Sequence, residues 1–241
     1  MAEWYQSFFE GDWLYVQRNI FPPEKSEADA EAIIGLLGLQ PGQEVLDVPC
    51  GTGRIAIPLA ARGLVVTGVD FTAALLEDAH RDGAGFPVTW EERDMRDLPW
   101  TDRFHAAVNM WGSFGYFDDA GDLAFAKAVC RALIPGGRFL IDGPSLETIL
   151  PIYQPHGWFA AGDAKVIEDR AFDPMSGRNE VDFTIIRQGR ETTRHISMRC
   201  YSCAELVRLL RRAGFSECAV YGSLEGDPFE IGKRMALVAT K

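Results

Sequence analysis

Residues 44–70 constrain the fold of this chain more than any other stretch. EVLDV (44–48) is an apolar run short enough to be a buried strand. A glycine turn, PCGTG, follows, then a segment from Gly53 to Ala61 that reads as a helix, then LVVTGV (64–69), which reads as a second strand. A strand, a tight turn, a helix and another strand in so few residues describe a βαβ unit with parallel strands.

The alternation continues. Thr72 to His80 reads as a helix, and PVTWEE (87–92), HAAVNM (105–110) and RFLIDG (138–143) read as strands, with a helix over Ala120 to Leu133 before the last. Upstream, Ser26 followed by Glu27 and an Ala/Ile/Leu pattern to Leu37 predicts a helix capped by Ser26. This arrangement calls for a parallel sheet with helices on both faces. From about residue 150 the pattern changes. AKVIEDRAF, EVDFTIIRQ and TTRHISMRC are strand-like and joined by turn residues, Asp173-Pro174…Gly177 and Gln188-Gly189-Arg190. They predict an antiparallel β-meander, 151–199, inserted into the α/β core. Beyond it, Ala204 to Ala213 carries a helical apolar stripe with Gly214 as its cap, and strands near 216–222 and 234–240 close the chain as an antiparallel edge element.

The turn after the first strand carries the chemistry. Backbone N–H groups at the start of a helix attract anions and dipoles, and Gly51 and Gly53 let a ligand come close to the backbone. Pro49 has no N–H, so the strand ends by Val48. Gly51-Thr52-Gly53-Arg54-Ile55-Ala56 satisfies GxGxxA, and Asp70 lies 19 residues beyond Gly51, where a ribose-binding acid belongs in a dinucleotide fold. The fingerprint alone therefore leaves NAD open. Three features favour another nucleotide. Asp47 ends the strand and would repel a pyrophosphate while suiting an ammonium group. Asp94 follows the third strand, where it suits an adenine amino group. The chain ends in AELVRLLRRAGF and a strand pair rather than a second α/β half.

VLDVPCGTGR, VTGVDFT, RDMRDLPW, NMWGSFGYF, LIPGGRFLID and LLRRAGF, in that order, resemble the motifs of class I S-adenosylmethionine-dependent methyltransferases of the small-molecule type. The resemblance covers roughly 26–150 and 200–241. It implies a Rossmann-like seven-stranded sheet, mostly parallel, with the last strand antiparallel. It also implies S-adenosyl-L-methionine as cofactor. Asp47, Pro49, Gly51 and Gly53 match the loop around the cofactor's methionine part, Pro49 standing where glycine is commoner. Asp70 matches the acid on the ribose hydroxyls, with Phe71 beside the adenine. Asp94 matches the acid on the adenine amino group and Met95 the neighbouring N–H. Asn109 and Met110 match the end of the fourth strand beside the sulfonium. Taken singly, Asp70 and Asp94 also read as helix-cap or turn residues.

The N-terminus holds Trp4, Tyr5, Phe8, Phe9, Trp13 and Tyr15. In similar methyltransferases an N-terminal helix, here 1–25, lies over the cofactor as a lid, which makes Tyr15 the first candidate for a cofactor contact and Tyr5 the second. FFEG resembles part of the lid of amino-sugar N-methyltransferases, but Phe9 lacks the aromatic hydroxyl found there. Trp111, Phe114 and Tyr116 follow the fourth strand and are expected to line the acceptor pocket. The meander is the expected substrate cap. His156, His195, Arg199 and Tyr201 in or next to it are the catalytic candidates, although a lone histidine on a strand is more often structural than catalytic. Methyl transfer from a sulfonium is an in-line displacement for which the protein mostly positions the reactants.

Composition narrows the rest. A net charge of −11 argues against a nucleic-acid partner. No apolar run nears the roughly 20 residues of a membrane span, and no signal peptide is visible. Five cysteines without regular spacing fit a reducing, cytoplasmic setting, and the lone Cys200-x-x-Cys203 lacks the second pair of a zinc site. The reading is a metal-free, cytoplasmic monomer or homodimer that methylates N or O of a small molecule. The alternatives are an NAD(P)-dependent oxidoreductase, for which no Tyr/Lys pair stands at a recognisable spacing, and a non-catalytic cofactor-binding relative.

Overall fold

The structure is a computed structural model and describes residues 4–241. Seven strands form one sheet: β1 (Glu44–Asp47), β2 (Val65–Asp70), β3 (Val88–Glu92), β4 (Phe104–Asn109), β5 (Leu133–Gly143), and, from the end of the chain, β10 (Glu217–Tyr221) and β11 (Met235–Thr240). Their order is β10-β11-β5-β4-β1-β2-β3. β11 runs antiparallel to both of its neighbours, β5 and β10, and the remaining pairings are parallel. The antiparallel strand therefore lies inside the sheet, with β10 at the edge.

The central strands read as continuous apolar runs because both sheet faces are covered. Neighbouring side chains point to opposite faces. Val45, Val66, Val108 and Leu140 pack with Ala30, Ile33 and Leu37 of α3 (Pro23–Leu37) and with Ala56 and Leu59 of α4 (Ala56–Ala61). Leu46, Ala107, Phe139 and Leu237 pack on the other side with Phe125 and Val129 of α6 (Asp119–Ala132) and with Leu206 and Leu210 of α8 (Cys203–Ala213). The helix α5 (Ala73–Asp82) joins β2 to β3.

Two expectations need correction. α3 opens at Pro22-Pro23, not at Ser26, which is buried inside the helix; proline at the first turn supplies the start because its missing N–H is not needed there. β5 begins at Leu133, directly after α6, and crosses Pro135-Gly136-Gly137 through an irregularity opposite Phe104 and Ala106.

A second sheet, order β6-β7-β8-β9, is antiparallel throughout: β6 (His156–Ala161), β7 (Ala164–Asp173), β8 (Arg178–Arg187) and β9 (Arg190–Arg199). The expected meander supplies three of these strands; β6 is the addition. α7 (Leu146–Ile149) and a 3₁₀ turn lead into it. The N-terminal segment is two helices, α1 (Tyr5–Phe8) and α2 (Asp12–Ile20), broken at Gly11, whose φ of 59° suits glycine. Phe8, Trp13 and Val16 pack onto Val166, Phe183 and Ile185 of the second sheet's inner face. The N-terminal helices are thus anchored to the inserted sheet and carried toward the ends of β1 and β4. Strand order reverses between these two strands, which is where a doubly wound sheet opens a ligand crevice.

Candidate active site

The loop after β1 is fixed by short backbone bonds. Val48 N–H donates to Val108 O (2.9 Å), Cys50 N–H to Val69 O (2.8 Å) and Gly53 N–H to Cys50 O (3.0 Å). Gly51 and Gly53 have φ of 55° and 80°. A Cβ on Gly53 would stand 2.6 Å from the Trp90 ring, so this position excludes a side chain on two grounds.

Two carboxylates face the crevice, from the end of β1 and from the end of β2. Asp47 is 1% exposed, and its Oδ2 has no hydrogen-bond partner among the described residues. Burial pushes its carboxyl up to about 7, against the opposing pull of Arg54 and the Ala56 N–H; the nearby Asp70 adds to the rise. Asp70 is also buried. Its Oδ2 accepts from Gly51 N–H and its Oδ1 from Thr72 N–H, both at 2.8 Å. Burial raises its pKa against those bonds. It therefore ties the loop and the start of α5 together while lining the crevice.

These groups border one large cavity of about 840 Å³. Of the residues expected at a cofactor, Asp47, Pro49, Gly51, Gly53, Asp70, Phe71, Asp94, Met95 and Met110 line it. Asp94 is held by Arg96 through the backbone N–H (2.8 Å) and the guanidinium (2.5–3.2 Å). Burial would raise its pKa, and the bonds from Arg96 more than offset that. Trp111 and Tyr116 line the cavity as well. Tyr116 stacks with Tyr5 (6.4 Å) and Phe9 (6.1 Å) and meets Trp4 edge-on at 4.8 Å, forming an aromatic wall built from α1 and the segment after β4.

Other expected site residues lie elsewhere. Asn109 is fully buried behind the loop, where its Nδ2 donates to Val48 O (2.9 Å); pleat alternation turns Met110 instead into the cavity. Tyr15 points away, its hydroxyl receiving Asp163 N–H (3.1 Å) and its ring lying under Arg187 (3.6 Å). Phe114 belongs to the core, beside Phe125 and Tyr201. None of the four catalytic candidates lines the cavity. His156 and His195 sit on the outer face of the second sheet, bonded to Asp169 and Asp182 at 2.7 Å. Arg199 bonds Cys200 O (2.6 Å) and Glu205 (3.0 Å). The Tyr201 hydroxyl donates to the buried Asp122 (2.8 Å).

The cavity also gathers residues with no local sequence signal. Gln17 of α2 has a buried, unpartnered Oε1, and its Nε2 lies 3.7 Å from where a Cβ of Gly51 would be. Arg93 has an unpartnered buried Nε and Trp4 an unpartnered Nε1. Arg54, directly after the glycine loop, pairs with Asp29 (2.7 Å) and covers the Phe21 ring (4.4 Å).

The donor and acceptor set fits S-adenosylmethionine. Unpartnered oxygens of Asp47 and Gln17 beside the loop suit an ammonium group, the fixed carboxylate of Asp70 suits a ribose diol, and Phe71 and Met95 flank room for a base. A pyrophosphate in the same place would face the carboxylate of Asp47.

Residues 45–137 match the family of the methyltransferase domain. The putative methyltransferase YqeM of Bacillus subtilis is 34% identical over 125 residues, 51% of this chain and 50% of that protein, so the chain matches about half the length of that relative. The putative methyltransferase GWCH70_2453 of Geobacillus sp. is 25% identical over 98% of this chain and 99% of its own. Among solved structures, the CcbJ methyltransferase of Streptomyces caelestis superposes with a TM-score of 0.77 at 19% identity, covering 92% of this chain and 97% of its own. The S-adenosylmethionine-bound amino pentose methyltransferase CalS10 of Micromonospora echinaspora gives 0.71 at 21% identity, covering 96% and 98%. The chain carries a methyltransferase domain over residues 45–137 and has the class I methyltransferase fold, with S-adenosylmethionine as its cofactor.

Proposed function

We propose that this chain transfers the methyl group of S-adenosylmethionine to an N or O nucleophile of a small molecule held in the same cavity, by an in-line displacement in which the S–CH3 bond breaks as the new bond forms and S-adenosylhomocysteine leaves. The observation that carries the reading is continuity. One space of about 840 Å³ runs from Asp47, Gly51 and Asp70 to an aromatic and apolar wall from α1, α2 and the second sheet. That exceeds what a nucleoside alone fills and lies within the usual range of small-molecule sites. The solved relative CalS10, by its description an amino pentose methyltransferase, supports the class of acceptor.

In this reading Asp47 and Gln17 hold the cofactor's amino-acid end, Asp70 the ribose, and Phe71, Asp94 and Met95 the adenine. The bound cofactor supplies an activated methyl group. The chain's own task is positioning and water exclusion. α1 and α2 act as the lid, with Trp4, Tyr5, Phe9 and Tyr116 covering the acceptor. The second sheet acts as the substrate cap. An amine acceptor needs only to be held unprotonated, whereas a hydroxyl needs a base. Five free cysteines support a cytoplasmic location. No helix among the described residues is long and apolar enough to cross a membrane.

The test is calorimetric titration with S-adenosylmethionine, S-adenosylhomocysteine and NADH, alongside Asp70→Ala. Micromolar binding of the first two, weakened by about 2–3 kcal/mol in the variant, is expected from the loss of a charge-assisted bidentate contact. Binding of NADH instead would overturn the reading.

A further inference from the structure

The inner face of the second sheet is mostly apolar where it meets α1 and α2, yet one carboxylate from it lines the cavity. Along β7 the inward-facing positions are Ala164, Val166, Glu168 and Arg170, and Glu168 borders the cavity between Phe159 and Phe183. It pairs across the ladders with Gly157 of β6 and Phe183 of β8. A Cβ on Gly157 would stand 2.8 Å from the Arg170 guanidinium and 3.2 Å from Glu168 Oε2. Glycine there leaves the room that the two charged side chains fill.

Oε2 of Glu168 receives the Arg170 guanidinium, which also donates to Gln154 O (3.1 Å). Oε1 takes no hydrogen bond from a described residue. The Glu168 side chain is only 16% exposed. An ion pair taken out of water is no better for stability than an apolar pair of the same volume, so stability does not explain a charged pair in this wall. A carboxylate that lines a ligand cavity and has one oxygen unengaged does explain it.

We propose that Glu168 is the recognition point for a cationic amine that the methyl acceptor carries besides the atom it offers to the methyl group. The inference rests on the reading of the cavity as a methyltransferase acceptor site. An ammonium offers several donors and a full charge to Oε1. Trp4, Phe9 and Phe183 line the cavity with aromatic side chains, which suit a cation and cover an apolar body. A neutral hydroxyl in the same place gains one hydrogen bond and no attraction to the rings.

The full-length protein, loaded with S-adenosylhomocysteine, is titrated with benzylamine and with benzyl alcohol as matched probes. Wild type is expected to bind the amine on the order of tenfold more tightly, the value of a charge-assisted over a neutral bond. In Glu168→Gln the preference shrinks to about twofold or less with S-adenosylhomocysteine affinity kept, while the melting temperature falls because Arg170 loses its counter-charge. In Arg170→Gln the preference widens, because the carboxylate loses its counter-charge; this variant decides the matter if Glu168→Gln fails to fold. Equal binding of the two probes by wild type, no binding of the amine, or a preference that survives Glu168→Gln would each overturn the proposal. Failure of wild type to bind S-adenosylhomocysteine sinks the methyltransferase reading alone, since the amine–alcohol comparison on unloaded protein still decides the role of Glu168.

Discussion

Asp47→Asn should stabilise the ligand-free protein and weaken the cofactor site at once. Asp47 is 1% exposed, and burial has moved its carboxyl from 3.8 to about 7. The folded state therefore keeps the proton to a higher pH than the unfolded chain does. Stability from this group is fully present below about 4 and is lost as pH rises to about 7. A shift of about 3 units at 1.36 kcal/mol each makes the ionised group cost about 4 kcal/mol at pH 8, against about 1.5 kcal/mol at pH 5. Asparagine removes the charge and keeps an oxygen for the Ala56 N–H. The gain in stability should thus be larger at pH 8 than at pH 5 by about 2–3 kcal/mol, or roughly 5–10 °C in melting temperature for a chain of this size. Ligand binding moves the other way. Losing a charge-assisted bond to the ammonium costs about 1.5–3 kcal/mol, so S-adenosylhomocysteine affinity falls roughly 10- to 150-fold at pH 8. Melting curves at the two pH values and calorimetry at pH 8 read both effects. Equal stabilisation at the two pH values, or affinity unchanged in the variant, would refute the reasoning.

Three further outcomes follow from the same geometry. Wild-type affinity for S-adenosylhomocysteine should rise with pH up to about 7, where Asp47 ionises, and then level off; a flat profile from pH 5 to 8 in calorimetry counts against Asp47 as the ammonium partner. Gly53→Ala forces a Cβ toward Trp90 at 2.6 Å in a left-handed backbone, and denaturant titration should show a loss of about 1–3 kcal/mol. Tyr201→Phe strips the donor from buried Asp122, whose carboxyl burial has already pushed up to about 7; about 1–3 kcal/mol of stability should go, while S-adenosylhomocysteine affinity stays within about twofold.

The βαβ alternation, the glycine loop and the acids at the strand ends were legible in the chain itself. They rest on short-range physics. A run of apolar residues, a glycine where φ must be positive and a helix stripe are each set within a few residues of backbone. So Asp47, Gly51, Gly53 and Asp70 were singled out by their spacing and by the resemblance of their motifs, and all four line one cavity. Local pattern misled where a stronger neighbour decided, as when Pro22-Pro23 rather than Ser26 opened α3.

What the order of residues left open was which side of each strand and helix would face that crevice. Adjacent side chains on a strand point to opposite faces, so a single position decides between pocket and solvent. Met110 enters the cavity while Asn109 is sealed behind it. Glu168 faces inward while Asp169 turns out to meet His156. On α2, Gln17 reaches the glycine loop and Tyr15 turns to the second sheet. The last two choices belong to the packing of α1 and α2 on the inserted sheet, a contact between segments more than 140 residues apart that no local pattern encodes.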